Sequence, residues 1–349
     1  SAWIKFNNLN QETLLGNSAN SNWLRFEDTD DIKFKIGNNS IIVTNSGAFS
    51  TGSWFHFSAV RNSSNVITFY KNGVALSTTG SRSGTFTPER IGQKESGDTF
   101  FDGNIDELAL WNVELSASQV AQIYHGSQAN FDLSQNGGGY TSASNLQAWW
   151  RMGDGTLDEH PLVADQTNAT LGSELIPNNG FEGTLEVASS AGDVDKWLDA
   201  NGNAGQSSTA SLDTSNPRTG SKCLKVTLGN INGYLNYVLN TTEIGVYKFS
   251  FFYRAGDSQT INTVRAGGTL SLRSFQLGDS GSQSPVDETY REMVVYFQNT
   301  AVQTFRLSLQ INGTIGDFIL IDDMSCKKVQ GNAGFMKNMA SSAIETDTP

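Results

Sequence analysis

One stretch constrains the fold more than any other: Phe101–Trp111, reading Phe-Asp-Gly-Asn-Ile-Asp-Glu-Leu-Ala-Leu-Trp. From Ile105 onward the residues alternate. Ile105, Glu107, Ala109 and Trp111 are predicted on one side, and Asp106, Leu108 and Leu110 on the other, the period of a buried or half-buried β-strand. Composition argues for more strands of the same kind. Only 17% of the 349 residues are charged, while 35 are glycine and 10% are aromatic. That mixture suits short strands joined by turns, with enough rings to fill sandwich cores. At about 100–200 residues per domain, the length predicts two domains.

Residues 1–125 read as a series of strands. Trp3–Phe6, Trp23–Phe26, Ile32–Ile36 and Ile41–Thr44 are separated by Asn, Ser and Gly clusters, and 52–61 alternates. Val66–Lys71, then Asn72-Gly73, then Val74-Ala75-Leu76 predicts a hairpin with a type I′ turn, whose two central residues need positive φ. Leu115–Gly126 is the one predicted helix, with Ser116 or Ser118 as cap, Val120, Ile123 and Tyr124 on its apolar side and Gly126 as its stop. Leu146–Gly155 reads as another strand and turn. Further strands are predicted at 220–227, 246–254, 269–277, 292–298, 304–311 and 318–325.

The order Gly-x-Trp-x-His (52–56), Tyr-x-Asn-Gly (70–73), Ile91-Gly92 and Gly-x-Ile-Asp-Glu (103–107) resembles laminin G-like, concanavalin A-type sandwich domains. The block 146–155, with the fragment 165–172, is similar to a segment of laminin G-like structural proteins of tailed bacteriophages. Glu174-Leu-Ile-Pro-Asn-Asn-Gly-Phe-Glu182 and the closing Ile321-Asp322-Asp323-Met324 resemble the jelly-roll carbohydrate-binding modules attached to xylanases and glucanases. Residues 331–339 look like the remainder of the interrupted phage-type ending. The expected fold is therefore all-β: two antiparallel β-sandwich (jelly-roll) domains with one short helix. The sandwich spans 1–155, a linker 156–173, the jelly roll 174–329, and a tail 330–349. The tail carries Phe335, Met336, Met339 and Ile344. It is expected to pack beside residues 146–172 and the first sandwich, or on a neighbouring subunit, as an inserted module requires.

Charge narrows the partners. The net charge of −12, from 35 acidic and 23 basic residues, argues against nucleic acid and against an anionic membrane surface. No signal peptide, membrane-spanning run or lipidation motif is read. The chain opens directly on a strand, which suggests sequence upstream of Ser1.

Catalytic constellations are missing from the sequence. A retaining glycosidase needs two carboxylates about 5–5.5 Å apart. Asp106 and Glu107, being adjacent on a strand, are expected to point to opposite faces. His56 reads as a packed strand residue, His125 as the end of the helix and His160 as a loop residue. No nucleophile elbow, phosphate loop or zinc spacing occurs. No catalytic residue is assigned.

Binding residues come from the resemblance. It implies a structural calcium held by Glu182 and Asp322, with Asp106 a weaker candidate in the first domain. Tyr247, Phe249, Phe251 and Tyr253 alternate on one strand and read as core. Trp197, Tyr234, Tyr237, Arg254 and Arg273 are the glycan-binding candidates. Cys223 and Cys326 read either as two buried thiols or as one disulfide. The architecture implied by the resemblance tends to bring their strands side by side, so a contact is expected. The phage-like segments imply a non-catalytic virion protein: a tail fibre, head fibre or capsid decoration, homo-oligomeric among other virion subunits. It would sit on the virion surface or outside the cell, with host surface glycans as partners and no membrane insertion. The alternative is a secreted accessory module of a polysaccharide-active enzyme.

Overall fold

The structure is a computed structural model of the 349-residue chain. It describes the chain except residues 96–97, 125–130, 187–195, 200–207, 242, 257–260, 269–275, 278–281, 284–285, 300–302, 337–338, 340 and 345–348. The protein is all-β, with antiparallel sheets and one α-helix among the described residues. Two compact units form: Ser1–Asp158 with Asp165–Thr167 and Ile344–Pro349, and Glu159–Ala164 with Asn168–Ala343.

In the first unit the elements run β1 (Ala2–Phe6), β2 (Glu12–Gly16), β3 (Asn22–Phe26), β4 (Asp31–Ile36), β5 (Asn39–Thr44), β6 (Phe55–Arg61), β7 (Val66–Lys71) and β8 (Val74–Ser81). They continue with β9 (Arg90–Ile91), β10 (Gln93–Glu95), β11 (Asp98–Phe100), β12 (Gly103–Asp106), β13 (Leu108–Trp111), α1 (Ala117–Tyr124) and β14 (Leu146–Trp150). Two five-stranded sheets form, ordered β12-β1-β6-β7-β8 and β5-β4-β3-β2-β9. Alternation decides what each strand buries. Ile4, Phe6, Phe26, Phe34, Phe57 and Phe69 enter one core, where the Phe26 ring lies 5.0 Å from Phe6 and 4.9 Å from Phe57. Asn72 and Gly73 both have positive φ (51° and 75°), as the I′ turn requires.

Helix α1 starts with a reciprocal cap. Gln119 N–H donates to Ser116 Oγ, and Ser116 N–H donates to Gln119 Oε1. Its Val120 and Ile123 enter a second, smaller core with Tyr70, Ala109, Leu115, Tyr140 and Trp149.

The stretch 105–111 is not one strand. Glu107 has φ +50°, and the chain divides there: β12 pairs with β1, and β13 pairs with β14. A left-handed residue interrupts the two-residue period, so Ile105 and Leu108 both pack into the main core, while Ala109 enters the second. The simple alternation predicted Ile105 and Leu108 on opposite sides.

In the second unit the strands are β15 (Leu162–Val163), β16 (Leu171–Glu174), β17 (Lys196–Asp199), β18 (Ser208–Asp213), β19 (Cys223–Leu228), β20 (Asn232–Thr241) and β21 (Gly245–Ala255). They continue with β22 (Thr263–Gly268), β23 (Gln276–Leu277), β24 (Ser282–Gln283), β25 (Arg291–Asn299), β26 (Gln303–Asn312), β27 (Phe318–Val329) and β28 (Gly334–Phe335). One sheet runs β18-β19-β27-β21-β25-β23 with β16 added to β27; the other runs β17-β20-β26-β22-β24. Tyr247, Phe249, Phe251 and Tyr253 are buried in the core, as their alternation predicts.

Within this unit β28 pairs with β15, so Phe335 stands opposite Leu162. Met336 N–H donates to Pro161 O, and His160 Nε2 hydrogen-bonds Met339 O at 2.9 Å. The Met339 side chain is half exposed.

The expected cysteine contact does not form. Cys223 and Cys326 are buried free thiols. Leu224 pairs with Ile321, which sets Cys223 level with Asp322, four residues from Cys326 along β27. The bulge at Asp323 leaves about three strand steps between them, since Asp322 and Cys326 pair with Phe252 and Phe249 of β21; at about 3.3 Å each that is roughly 10 Å, beyond the ~7 Å Cα separation a disulfide tolerates.

Candidate functional site

The β17-β20-β26-β22-β24 sheet of the second unit packs one face into the core, and its alternate positions stand on the opposite face. Leu235, Tyr237 and Leu239 on β20, and Leu307, Leu309 and Ile311 on β26, fill the core. The intervening positions form cross-strand rows on the other face. Tyr234 is in register with Gln310, and Gln310 with Arg265. Asn236 is in register with Ser308, which donates its hydroxyl to Asn236 Oδ1 at 2.5 Å. Asn236 and Gln310 are half-buried, and Ser308 and Val238 are buried although they point away from the core. This face is thus a polar floor of amides and a hydroxyl, a surface that can exchange hydrogen bonds with a hydroxyl-rich ligand.

The predicted glycan-binding residues divide across the unit. Tyr234 stands on β20, in register with Gln310. Tyr237 is only 3% exposed and belongs to the core, in step with Leu235 and Leu239. Trp197 is in register with Tyr237 on β17. Arg254 lies on the other sheet, with its Nε donating to Ala255 O and its guanidinium 5.9 Å from the Tyr290 ring. Arg273 and His125 lie outside the described residues. The signal for Asn236, Ser308 and Gln310 is present in the sequence as the polar half of two alternating strands.

Glu182 and Asp322 both hold the loop 218–222. Glu182 accepts from Ser221 N–H, Ser221 O–H and Lys222 N–H, which lower its pKa. Asp322 is fully buried and accepts from Arg218, Thr219 and Asp323 N–H groups; desolvation raises its pKa. Arg218 pairs with Asp323. Calcium needs six to eight oxygen ligands. Here backbone N–H groups already donate to both carboxylates, and the Ser221 hydroxyl to Glu182, and no group of three or more His, Cys, Asp or Glu converges on a metal position among the described residues. The pair fits a loop staple and does not fit a calcium cage. The melting temperature is therefore expected to agree within about 1 °C in millimolar calcium and in chelator, because ligand binding to the folded state would raise it. A rise of several degrees with calcium, lost in Asp322→Asn, would overturn this assignment.

Asp106 is buried as well, so it offers no open metal position. In the first unit Asp106 and Glu107 are 8% and 7% exposed, and burial is the largest cause of their raised pKa values, pushed up to about 7 and about 8. Asp106 Oδ1 accepts Glu107 N–H at 2.8 Å. Glu107 accepts from Trp149 Nε1–H and from Arg151 Nε–H, the latter at 3.1 Å, and Arg151 Nη2 reaches Asp154 at 2.7 Å. His56 is also buried, and desolvation lowers its pKa to about 3.

Residues 1–121 match the concanavalin A-like lectin/glucanases superfamily model. No curated protein matches the chain. Among solved structures, a putative sugar binding protein from Bacteroides thetaiotaomicron is similar at 16% identity and a TM-score of 0.33, over 45% of this chain and 100% of its own. The xylan-binding CBM22-1 domain of Xyn10C from Paenibacillus barcinonensis is similar at 11% identity and 0.32, over 47% and 98%. TmCBM61, solved with beta-1,4-galactotriose, is similar at 15% identity and 0.29, over 45% and 99%.

Proposed function

We propose that this chain is a non-catalytic glycan-binding protein whose second unit takes a polysaccharide segment on the outward face of the β17-β20-β26-β22-β24 sheet. The row Asn236–Ser308, beside Gln310 and the Tyr234 position, carries the reading. Sugars offer hydroxyls in both donor and acceptor roles, and amide side chains answer both. Binding to a panel of soluble neutral polysaccharides is expected by calorimetry. The double variant Asn236→Ala, Gln310→Ala is expected to weaken it about tenfold, since two lost hydrogen bonds at about 0.5–1.5 kcal/mol each reach that factor. Absence of binding across the panel, or binding indifferent to the double variant in a folded protein, would overturn the proposal.

The absence of catalysis rests on the burial of Asp106 and Glu107, which leaves neither carboxylate open to a substrate. Release of reducing sugar that disappears in Asp106→Asn would refute it. We place the protein on a virion as an adhesive element. The resemblance of 146–172 and 331–339 to phage structural segments motivates this, and the pairing of β15 with β28 supports an inserted module whose two ends meet. Peptides of this chain in purified particles test it. Their absence, with a catalytic domain in the same gene, would assign it instead to a secreted polysaccharide-active enzyme.

A further inference from the structure

We propose a second saccharide site, for an acidic glycan, on the outer face of the β5-β4-β3-β2-β9 sheet of the first unit. Cross-strand register builds it in rows: Trp23–Lys35–Ser40, then Arg25–Lys33–Ile42. Three cations surround one indole, with Arg25 at 4.9 Å, Lys33 at 5.6 Å and Lys35 at 5.9 Å from the Trp23 ring. The indole Nε1–H donates to Asn20 Oδ1, and Lys35 Nζ donates to Asn20 O, so the β2–β3 loop fixes this end of the patch. Arg25 and Lys33 stand directly opposite each other, an arrangement that costs stability between like charges. Glu27 offsets part of that cost, at 2.6 Å from Arg25 and 3.6 Å from Lys33. Asp31, two residues from Lys33 on the same side, and Glu27 make the β3–β4 turn end acidic, so the positive seat lies at the Lys35–Trp23 end.

A positive seat on a chain of net charge −12 is complementary to an anion. The neighbouring edge strand selects the kind of anion. Ser40, Ile42 and Thr44 are exposed on β5 beside the lysines, offering hydroxyls and an aliphatic surface to a ring that is both hydroxylated and apolar on one face. Carboxylate or sulfate groups on a sugar satisfy the lysines, and the sugar ring covers Ile42.

The test uses the full chain with two probes, polygalacturonate oligosaccharides for carboxylate and heparin oligosaccharides for sulfate, at low and physiological salt. Binding to at least one is expected, weakening with salt. Lys33→Gln with Lys35→Gln is expected to reduce affinity about tenfold or more, since each charge-assisted contact exceeds a neutral one. Lys225→Gln, on the second unit, is expected to change nothing. A shift in the Trp emission on binding, lost in Trp23→Phe, locates the site. Asn236→Ala with Gln310→Ala should leave acidic-glycan binding intact, which separates this site from the face proposed above. Binding to neither probe, or binding unaffected by the lysine pair, overturns the proposal. So does self-association lost in the lysine variant, which would identify the partner as a second acidic copy of this chain.

Discussion

Replacing Gly103 with alanine is expected to lower the melting temperature of the first unit by roughly 10 °C. Gly103 opens β12 and stands opposite Phe6 on β1. A Cβ built there would lie 2.1 Å from Lys5 O and 3.0 Å from Phe6 Cα, both backbone atoms that cannot rotate away. The strands must separate to admit it, at the junction where β12 carries the chain toward Glu107. Forced overpacking costs about 1–3 kcal/mol when side chains can adjust, and a backbone clash lies at or above the top of that range. Each kcal/mol moves the midpoint of a domain this size by about 2–4 °C. Gly137 is the control, since an added Cβ meets nothing within 4 Å. Thermal melts of Gly103→Ala, Gly137→Ala and the parent protein decide the matter. A Gly103→Ala midpoint within 2 °C of the parent would show that β1 and β12 part without cost.

Gly103 also marks where sequence reasoning succeeds and where it stops. The motif around it identifies a sandwich because alternation, turn chemistry and caps are local. Asn72-Gly73, the Ser116–Gln119 cap and the Tyr247–Tyr253 stripe each follow from residues a few positions apart. The break at Glu107 is not local in that sense. A glutamate rarely takes positive φ, and no neighbouring glycine announces it; the turn is imposed by β12 and β13 joining different strands. The separation of Cys223 from Cys326 likewise depends on which strands pair and in what register. Tyr237 is different, because the information was present. Tyr234 and Tyr237 are three apart on one strand, so only one of them can face outward. The Trp23 cluster required the β3–β4 register, which sets Lys35 opposite Trp23 and Lys33 opposite Arg25.

Substituting Asp106 with asparagine is expected to stabilise the first unit above neutral pH and to leave it unchanged near pH 4. Asp106 is held in its folded state with a pKa of about 7, against 3.8 ordinarily, chiefly because burial penalises the charge. A raised acid contributes its full stability below its unfolded pKa, where both states are protonated. As pH rises past about 4 the unfolded chain releases the proton and the folded chain retains it. Stability is therefore lost progressively until pH passes about 7, and is flat beyond. Three pKa units at 1.36 kcal/mol each set an upper figure of about 4 kcal/mol, and partial solvation of the site reduces it to about 2. Asparagine keeps the oxygen that accepts Glu107 N–H and never ionises. The quantity to measure is the difference in midpoint between variant and parent across pH 4–8, because the opposing titrations of buried His56 and the Ser1 amine cancel in it. That difference should rise from near zero at pH 4 to several degrees at pH 8. A constant difference would mean that Asp106 ionises freely in the folded protein. A negative one at pH 8 would mean that its charge is used, which would reopen the question of chemistry at Asp106 and Glu107.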